Sequence, residues 1–200
     1  MSVIGVLALQ GDFEAHTKVL ERIGERWQLV KKPSDLAALS GLIIPGGEST
    51  TFLKLIQQQE TFLEEICRFA ESRPVFGTCA GAILLADRVE NPSQPSLGLL
   101  HIKVRRNAYG RQLSSSVRIL EAEPDLQIGP EAGSPLEAVL IRAPVIVEAA
   151  SGVRTLARLD GQPVLVRQGP LLAGTFHPEL TSDTRVHRYF CRMIRSGVGD

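Results

Sequence analysis

Short apolar runs in the first 80 residues are each followed by a polar or glycine-rich turn. Val3–Leu9, Gly41–Ile44 and Pro74–Phe76 are the three such runs. Runs of this length, bounded by turns, are typical of strands buried on both faces in a parallel sheet. Gln28–Lys31 is predicted as a further short strand. Because helical segments separate these strands, the first half is predicted to form a parallel sheet with helices on both faces.

The helices are predicted from apolar residues at a spacing of three and four. They are a helix that Asp12 caps and that runs to about Ile23, a helix over Thr51–Gln58, a helix over Glu60–Ser72 and a short one after Cys79.

The second half has shorter segments and more turn residues. Its predicted strands are Val104–Asn107, Val117–Leu120, Leu136–Arg142, Val145–Ala149, Val153–Leu159, Val164–Gln168 and Leu171–Phe176. Asp125–Pro135 is predicted as a loop, and a final helix covers about Thr184–Arg195. Hairpin-like breaks such as Asp160-Gly161 indicate antiparallel pairing. No repeat or linker interrupts the pattern, so we expect residues 1–200 to form a single α/β domain.

Charge and cysteine content narrow the function classes. The chain has 200 residues with 22 Lys+Arg and 22 Asp+Glu, so no basic surface favours nucleic acid or a membrane. No apolar stretch reaches the ~20 residues that span a bilayer. The run at Val3–Leu9 lacks a preceding basic residue, which favours a buried strand over a signal peptide. Three cysteines without paired spacing favour a reducing, cytoplasmic location.

A reactive cysteine is predicted within Gly77-Thr78-Cys79-Ala80-Gly81. An apolar strand precedes this segment, a helix follows it, and a glycine lies two residues to either side of the cysteine. This is the nucleophile-elbow pattern, in which side chains at the glycine positions would crowd a strained turn. The start of the following helix would favour the thiolate of Cys79 over the thiol.

Two other segments offer partners for Cys79. Pro45-Gly46-Gly47-Glu48-Ser49 follows a predicted strand, and its glycines let a backbone N–H point into a cleft and bind an oxyanion. His177 and Glu179 lie two residues apart after a predicted strand, so in an extended segment they point the same way. Glu179 can then hold His177 in one tautomer, which gives a nucleophile, a base and an orienting acid.

Other candidates have weaker support from their sequence context. Cys67 is predicted to be a small core residue, and the pair His187 and Cys191 to be a surface pair on the last helix. Gln10-Gly11 is equally consistent with a simple turn and with a site loop. Arg105-Arg106-Asn107 and Arg142 are candidates for binding a carboxylate, although strand arginines are more often solvated. His16 is predicted to lie on the first helix, near the carboxyl ends of the predicted parallel strands. His101 has no recognisable context.

The chain resembles the class I (triad) glutamine amidotransferases and, within them, the glutaminase subunit of pyridoxal 5'-phosphate synthase. The elbow and Phe176-His177-Pro178-Glu179 carry the resemblance to the broad class. The narrower resemblance rests on Gly5–Gly11, Leu42–Thr51, Arg106–Gln112 and Ile141–Pro144, which occur in the family's order and span most of the chain. It implies a three-layer, flavodoxin-like α/β fold with a mostly parallel central sheet, helices on both faces and an antiparallel extension in the second half.

The resemblance also implies the chemistry. Cys79, His177 and Glu179 match the family's catalytic triad, and the backbone amides of Gly47 and Ala80 match its oxyanion hole. The glutamine-binding positions of the family correspond to Gly47, Glu48, Ser49, Arg106, Ile141 and Arg142. No cofactor or metal is expected. Ammonia is expected to pass to a separate (β/α)8-barrel synthase subunit, in an assembly of twelve copies of each subunit, and docking is expected to activate the glutaminase.

Three alternatives remain open at this point. The chain could serve another amidotransferase, such as that of histidine biosynthesis, it could be a non-catalytic regulatory subunit, or it could be a papain-like or other cysteine hydrolase. The loop between Ala122 and Leu136 is longer and richer in Pro and Gly than the family usually has, so the geometry before Ile141 is expected to differ locally.

Overall fold

The computed structural model describes residues 2–48, 54, 60–106 and 115–197. Its strands are β1 (Ile4–Leu7), β2 (Trp27–Val30), β3 (Gly41–Ile44), β4 (Val75–Thr78), β5 (Ala86–Glu90), β6 (Leu100–Arg105), β7 (Ser115–Ala122), β8 (Leu136–Ile141), β9 (Val145–Ala149), β10 (Arg154–Leu159), β11 (Gln162–Gln168) and β12 (Leu171–Gly174). Its helices are α1 (Phe13–Arg22), α2 (Glu60–Ala70), α3 (Ala80–Leu85) and α4 (Arg185–Ser196). The helix predicted over Thr51–Gln58 lies outside the described residues, apart from residue 54.

A nine-stranded sheet organises the chain, in the order β2-β1-β3-β4-β12-β11-β10-β7-β8. The pairings from β2 to β12 are parallel, and those from β12 to β8 are antiparallel. A second sheet contains β5, β6 and β9. The α/β fold class, with a parallel region and an antiparallel extension, is therefore confirmed.

Alternate residues of the parallel strands supply two cores, one on each face of the large sheet. On β3, Leu42 and Ile44 pack in one core with α2, α3 and the small sheet, whereas Ile43 packs in the other with α4. Since all four residues of β1, β3, β4 and β12 are buried, these strands read as continuous apolar runs rather than alternating ones. The parallel strands end at one edge of the sheet, where the candidate site lies.

Some local predictions were wrong. β12 ends at Gly174 instead of Phe176, and a 3-10 turn covers Pro178–Leu180. The short helix predicted after Cys79 ends at Leu85, and the next residue, Ala86, begins β5, a strand that was not predicted and that pairs with β6. Asp12 precedes α1 but makes no side-chain capping hydrogen bond.

No helix among the described residues has the length and apolar character needed to cross a bilayer.

Candidate active site

Cys79 occupies a strained turn between β4 and α3. Its backbone has φ 48° and ψ −101°, a conformation that costs a non-glycine residue about 1–3 kcal/mol. The flanking glycines allow the chain to turn this sharply. A Cβ at Gly77 would lie 2.6 Å from the backbone of Gly81, and one at Gly81 would lie 2.1 Å from the carbonyl oxygen of Ile44. The steric reason expected for the two elbow glycines therefore agrees with the backbone packing.

His177 and Glu179 form a buried pair beside the elbow. Nδ1 of His177 donates to Oε1 of Glu179 at 2.8 Å, and both residues are about 5 % exposed or less. The two side chains meet across the Pro178–Leu180 turn, so the extended geometry predicted for them is wrong although the contact is present. Because Nδ1 is used by Glu179, Nε2 is the nitrogen of His177 that can serve Cys79.

The surroundings of this pair favour the protonated form of His177. Burial by itself lowers the pKa of His177, but the hydrogen bonds and negative charges of Cys79 and Glu179 outweigh it and raise the pKa to about 10. Burial raises the pKa of Glu179, and the hydrogen bond and charge of His177 oppose that increase. A histidine that is hydrogen-bonded to a carboxylate and lies beside a cysteine is the arrangement that can activate a cysteine nucleophile.

The loop after β1, Gln10-Gly11, contacts the turn after β3, Gly46-Gly47, which we call the glycine turn. The backbone of Gly11, at φ +87°, approaches Gly46 so closely that a Cβ would lie 1.8 Å from the Gly46 carbonyl oxygen. The backbone N–H of Glu48 donates to Oε1 of Gln10 at 3.2 Å, and a Cβ on Gly47 would lie 2.5 Å from the Gln10 amide. Gln10-Gly11 is thus a supporting loop of this site and more than a simple turn.

A pocket of about 220 Å³ opens over the elbow. Besides Cys79 and His177, its wall contains most of the residues expected to bind substrate: Gly47, Glu48, Arg106, Ile141 and Arg142. Ser49 lies outside the described residues. A larger depression of about 470 Å³ lies elsewhere, between the 33–37 segment and α2, and none of the predicted site residues lines it.

The pocket wall carries both charge signs and further backbone strain. The Arg106 guanidinium lies 3.9 Å from the Glu48 carboxylate. Arg142 has φ 44°, so two of the four described non-glycine residues with positive φ, Cys79 and Arg142, face this pocket. Strained backbone of this kind clusters at functional sites. Arg105, in contrast, pairs with Glu90 on the small sheet.

Sequence reasoning missed a buried polar cluster behind the triad. His16, Thr78 and His187 are hydrogen-bonded side chains on α1, β4 and α4, and the two imidazoles are fully buried. His187 and Cys191 are therefore core residues, and their prediction as a surface pair was wrong. Cys67, predicted to be in the core, is only half-buried. A fully buried histidine has no sequence signal beyond its position on the inner face of an amphipathic helix.

Asp12 also approaches His177, with its carboxylate 3.9 Å from Nδ1. Among the described residues, Asp12, His177 and Glu179 are the one trio whose possible ligand atoms lie within 4.8 Å of one another. His177 and Glu179 use Nδ1 and Oε1 for their own hydrogen bond, so a metal ion at this trio would have to compete with that contact.

The chain is similar to known proteins over nearly its whole length. A sequence model described as the SNO glutamine amidotransferase family matches residues 6–196. The pyridoxal 5'-phosphate synthase subunit PdxT of Koribacter versatilis is 57 % identical over 97 % of this chain and 96 % of its own length. PdxT of Thermotoga petrophila is 48 % identical over 96 % of this chain and 99 % of its own.

Solved structures agree with this result. One described as a glutamine amidotransferase has a TM-score of 0.86 and 47 % identity, and covers 97 % of this chain and all of its own. A putative GMP synthase subunit from Thermoplasma acidophilum has a TM-score of 0.68 at 20 % identity, covers 98 % of this chain and 95 % of its own, and shares the fold alone. The predicted resemblance is thus confirmed, and the chain belongs to the SNO glutamine amidotransferase family.

Proposed function

We propose that the protein hydrolyses L-glutamine to L-glutamate and ammonia, and that the ammonia is used by a synthase subunit that makes pyridoxal 5'-phosphate. The observation that carries this proposal is the strained Cys79 beside the His177–Glu179 hydrogen bond, at the bottom of a pocket with charged walls. The PdxT relatives are identical to this chain at about half of the aligned positions, and their name supports pyridoxal 5'-phosphate synthesis as the pathway that uses the ammonia.

In the first half of the reaction, the Cys79 thiolate attacks the side-chain amide carbon of glutamine. The C=O electrons move onto oxygen, and the backbone N–H groups of Gly47 and Ala80 are assigned to stabilise this oxyanion. Nε2–H of His177 then donates its proton to the amide nitrogen. The C–N bond breaks, ammonia leaves, and a glutamyl thioester remains on Cys79.

In the second half, neutral His177 accepts a proton from water through Nε2. The resulting hydroxide attacks the thioester carbon, the C–S bond breaks, and glutamate and the Cys79 thiolate are released. Throughout the cycle, Glu179 accepts the Nδ1–H of His177 and stabilises the imidazolium whenever it forms. Neither half requires a metal or a cofactor.

Substrate recognition is assigned to the charged residues of the pocket wall. A free glutamine carries one carboxylate and one ammonium group on its α-carbon. Arg106 and Arg142 can neutralise the carboxylate, and Glu48 can neutralise the ammonium group. Gly47, Ser49 and Ile141 are also assigned to substrate binding, because they match the family's glutamine-binding positions. A peptide glutamine lacks both α-charges, so we expect the site to reject peptides.

The proposed partner is the (β/α)8-barrel synthase subunit, with twelve copies of each subunit in the assembly. We also propose a cytoplasmic location, where the three free thiols stay reduced. Direct transfer of ammonia to the partner would keep it from protonation in bulk water. Docking would activate the site if it reoriented the turn that Gln10 holds at Glu48.

Glutamate release, measured with and without the barrel subunit, tests the proposed function. We expect stimulation by the barrel subunit, and a loss of roughly 10⁴-fold or more for Cys79→Ala. Cys67→Ala removes a thiol that does not line the pocket and should retain activity. Glutamine hydrolysis by Cys79→Ala would overturn the triad assignment. Stimulation only by another synthase, such as that of histidine biosynthesis, would overturn the pathway, and a wild-type chain inactive with every synthase would indicate a regulatory subunit.

A further inference from the structure

A chain of buried polar groups lies directly behind the triad. Nδ1 of His16 lies 2.9 Å from Nε2 of His187, and Nε2 of His16 lies 3.2 Å from Oγ1 of Thr78. Both imidazoles are completely buried, and Phe76 packs edge-on against each of them. The apolar surroundings make every one of these polar contacts costly to lose.

This cluster of polar groups reaches Glu179 at Oε2, the carboxylate oxygen that does not accept from His177. Oε2 of Glu179 is buried without a hydrogen-bond partner among the described residues, and Nε2 of His16 lies 3.5 Å from it. Hydrogen bonds at active sites are often long before substrate or partner binds, and they shorten in the reacting complex. The same cluster also contacts the glycine turn, because the backbone N–H of Gly46 donates to Oγ1 of Thr78 at 3.0 Å.

The donors and acceptors around His16 favour one tautomer of its imidazole. If Nδ1 carried the proton, the lone pair of Nε2 would face the Glu179 carboxylate, and the unpartnered Nδ1 of His187 would be a buried donor. If Nε2 carries the proton, an N–H faces Thr78 and Glu179, and Nδ1 accepts from Nε2–H of His187. Nδ1 of His187 is then an acceptor instead of a buried donor, and no lone pair of His16 faces the Glu179 carboxylate, so the Nε2–H tautomer is favoured.

His16 is neutral in this position. Burial lowers its pKa well below the usual value, and the electrostatic interactions with His187 and His177 lower it further. The pKa of His187 is lowered to about 3, mainly by burial and also by Arg22, while Asp183 opposes the decrease. A neutral imidazole can donate one N–H to Glu179 without placing a second positive charge beside His177.

We propose that His16 is a positioning residue of the glutaminase reaction, which donates Nε2–H to the free oxygen of Glu179 and thereby holds that carboxylate ionised and aligned with His177. The inference rests on the proposed glutaminase function. His187 fixes the tautomer from behind, and Thr78 fixes the ring beside the glycine turn. Among the described residues, the ionisable groups that the structure shows acting on Glu179 are His177, His16 and Asp12.

Two amide variants separate the proposed role from simple packing. In His16→Gln the amide reaches the position of Nε2 and can donate to Glu179, whereas in His16→Asn it reaches only the position of Nδ1, next to His187. Each replaces the ring by a smaller polar group at the same buried position. Glutamine hydrolysis is measured between pH 5 and 9 in the complex with the synthase subunit.

We expect His16→Asn to lower kcat by at least 10-fold, with KM within about 3-fold of the wild type. The acidic limb of its kcat/KM profile should move to higher pH, because a carboxylate that has lost a donor holds its proton more tightly. His16→Gln should recover most of kcat and the position of the limb. Cys191→Ala, which removes a buried group elsewhere in the same core, should leave the limb unchanged.

Equal pH profiles for the Gln and Asn variants would overturn the proposal and leave His16 a packing residue. A tautomer measurement that does not depend on activity adds a second test. In ¹⁵N-histidine NMR spectra of the wild-type chain, we expect the proton of His16 on Nε2, and a proton on Nδ1 would refute the donor role. Absence of glutamine hydrolysis in the wild type would instead refute the proposed function, and the NMR result would still decide the tautomer.

Discussion

Gly46 lies so close to His177, the proposed catalytic base, that a single methyl group should disable the enzyme. A Cβ at this position would lie 2.5 Å from Cε1 and 3.1 Å from Nδ1 of His177, and 3.2 Å from Cβ of Cys79. Carbon atoms in contact prefer separations of about 3.5–4.0 Å. In Gly46→Ala, either the imidazole or the glycine turn must therefore move by about 1 Å.

Both movements damage the site. Moving the ring weakens the 2.8 Å hydrogen bond to Glu179, and moving the turn displaces the proposed oxyanion donor at Gly47. Since a misplacement of about 1 Å can cost roughly 100-fold in rate, we expect kcat to fall by about that factor. Overpacking should lower the free energy of unfolding by about 1–3 kcal/mol.

The assay is glutamate release in the presence of the synthase subunit, with urea unfolding of each variant alone. Gly152→Ala is the matched control, because a Cβ there meets nothing within 4 Å. It should keep the wild-type kcat and unfolding free energy. If Gly46→Ala is folded and retains kcat within about 3-fold of the wild type, the steric reasoning is refuted.

Three further predictions concern the elbow, the carboxylate and the buried histidines. In Gly81→Ala the new Cβ would lie 2.1 Å from the Ile44 carbonyl oxygen, so we expect urea unfolding to show a loss of about 3 kcal/mol or more, and a near-neutral value would contradict the packing. Glu179→Gln keeps the shape but removes the charge, and should lower kcat roughly 10²–10⁴-fold with little change in KM; an active variant would exclude an orienting carboxylate. His187, with its pKa lowered to about 3, stays neutral in the folded state while the unfolded chain binds a proton below about pH 6.5. Stability should therefore fall as the pH falls, by up to about 2 kcal/mol between pH 7 and 5 from this residue. His187→Gln, which keeps a donor toward His16, should reduce that pH dependence in urea unfolding, and an unchanged slope would show that His187 does not titrate.

The parallel half of the fold could be predicted because its signals are local. β1, β3 and β4 are short, fully buried strands that end in turns, and burial on both faces requires such uncharged runs. The sharp turn at Cys79, the proposed nucleophile, could be predicted for the same reason, since the two glycines that it requires are near Cys79 in sequence. The contact of His177 with Glu179 was predicted, but through an extended segment and not through the 3-10 turn that forms it.

Features that depend on distant segments could not be predicted. His16 and His187 are 171 positions apart, and their contact exists only because α1 and α4 pack on the same face of the sheet. The loop between Ala122 and Leu136 is a similar case. It is held by the fully buried Arg185, whose guanidinium donates to the carbonyl oxygens of Ser134 and Pro135 and pairs with Asp183.

By itself, the sequence determined the strand and helix alternation, the elbow at Cys79 and the acid that follows His177, since backbone sterics and burial act on neighbouring residues. Tertiary structure alone decided how these parts meet. It placed Gly11 against Gly46, connected Gln10 to the glycine turn, and set the buried His16 beside the Glu179 carboxylate. The physical reason is that desolvation and hydrogen-bond pairing of buried groups are fixed by packing between segments, and no local pattern encodes them.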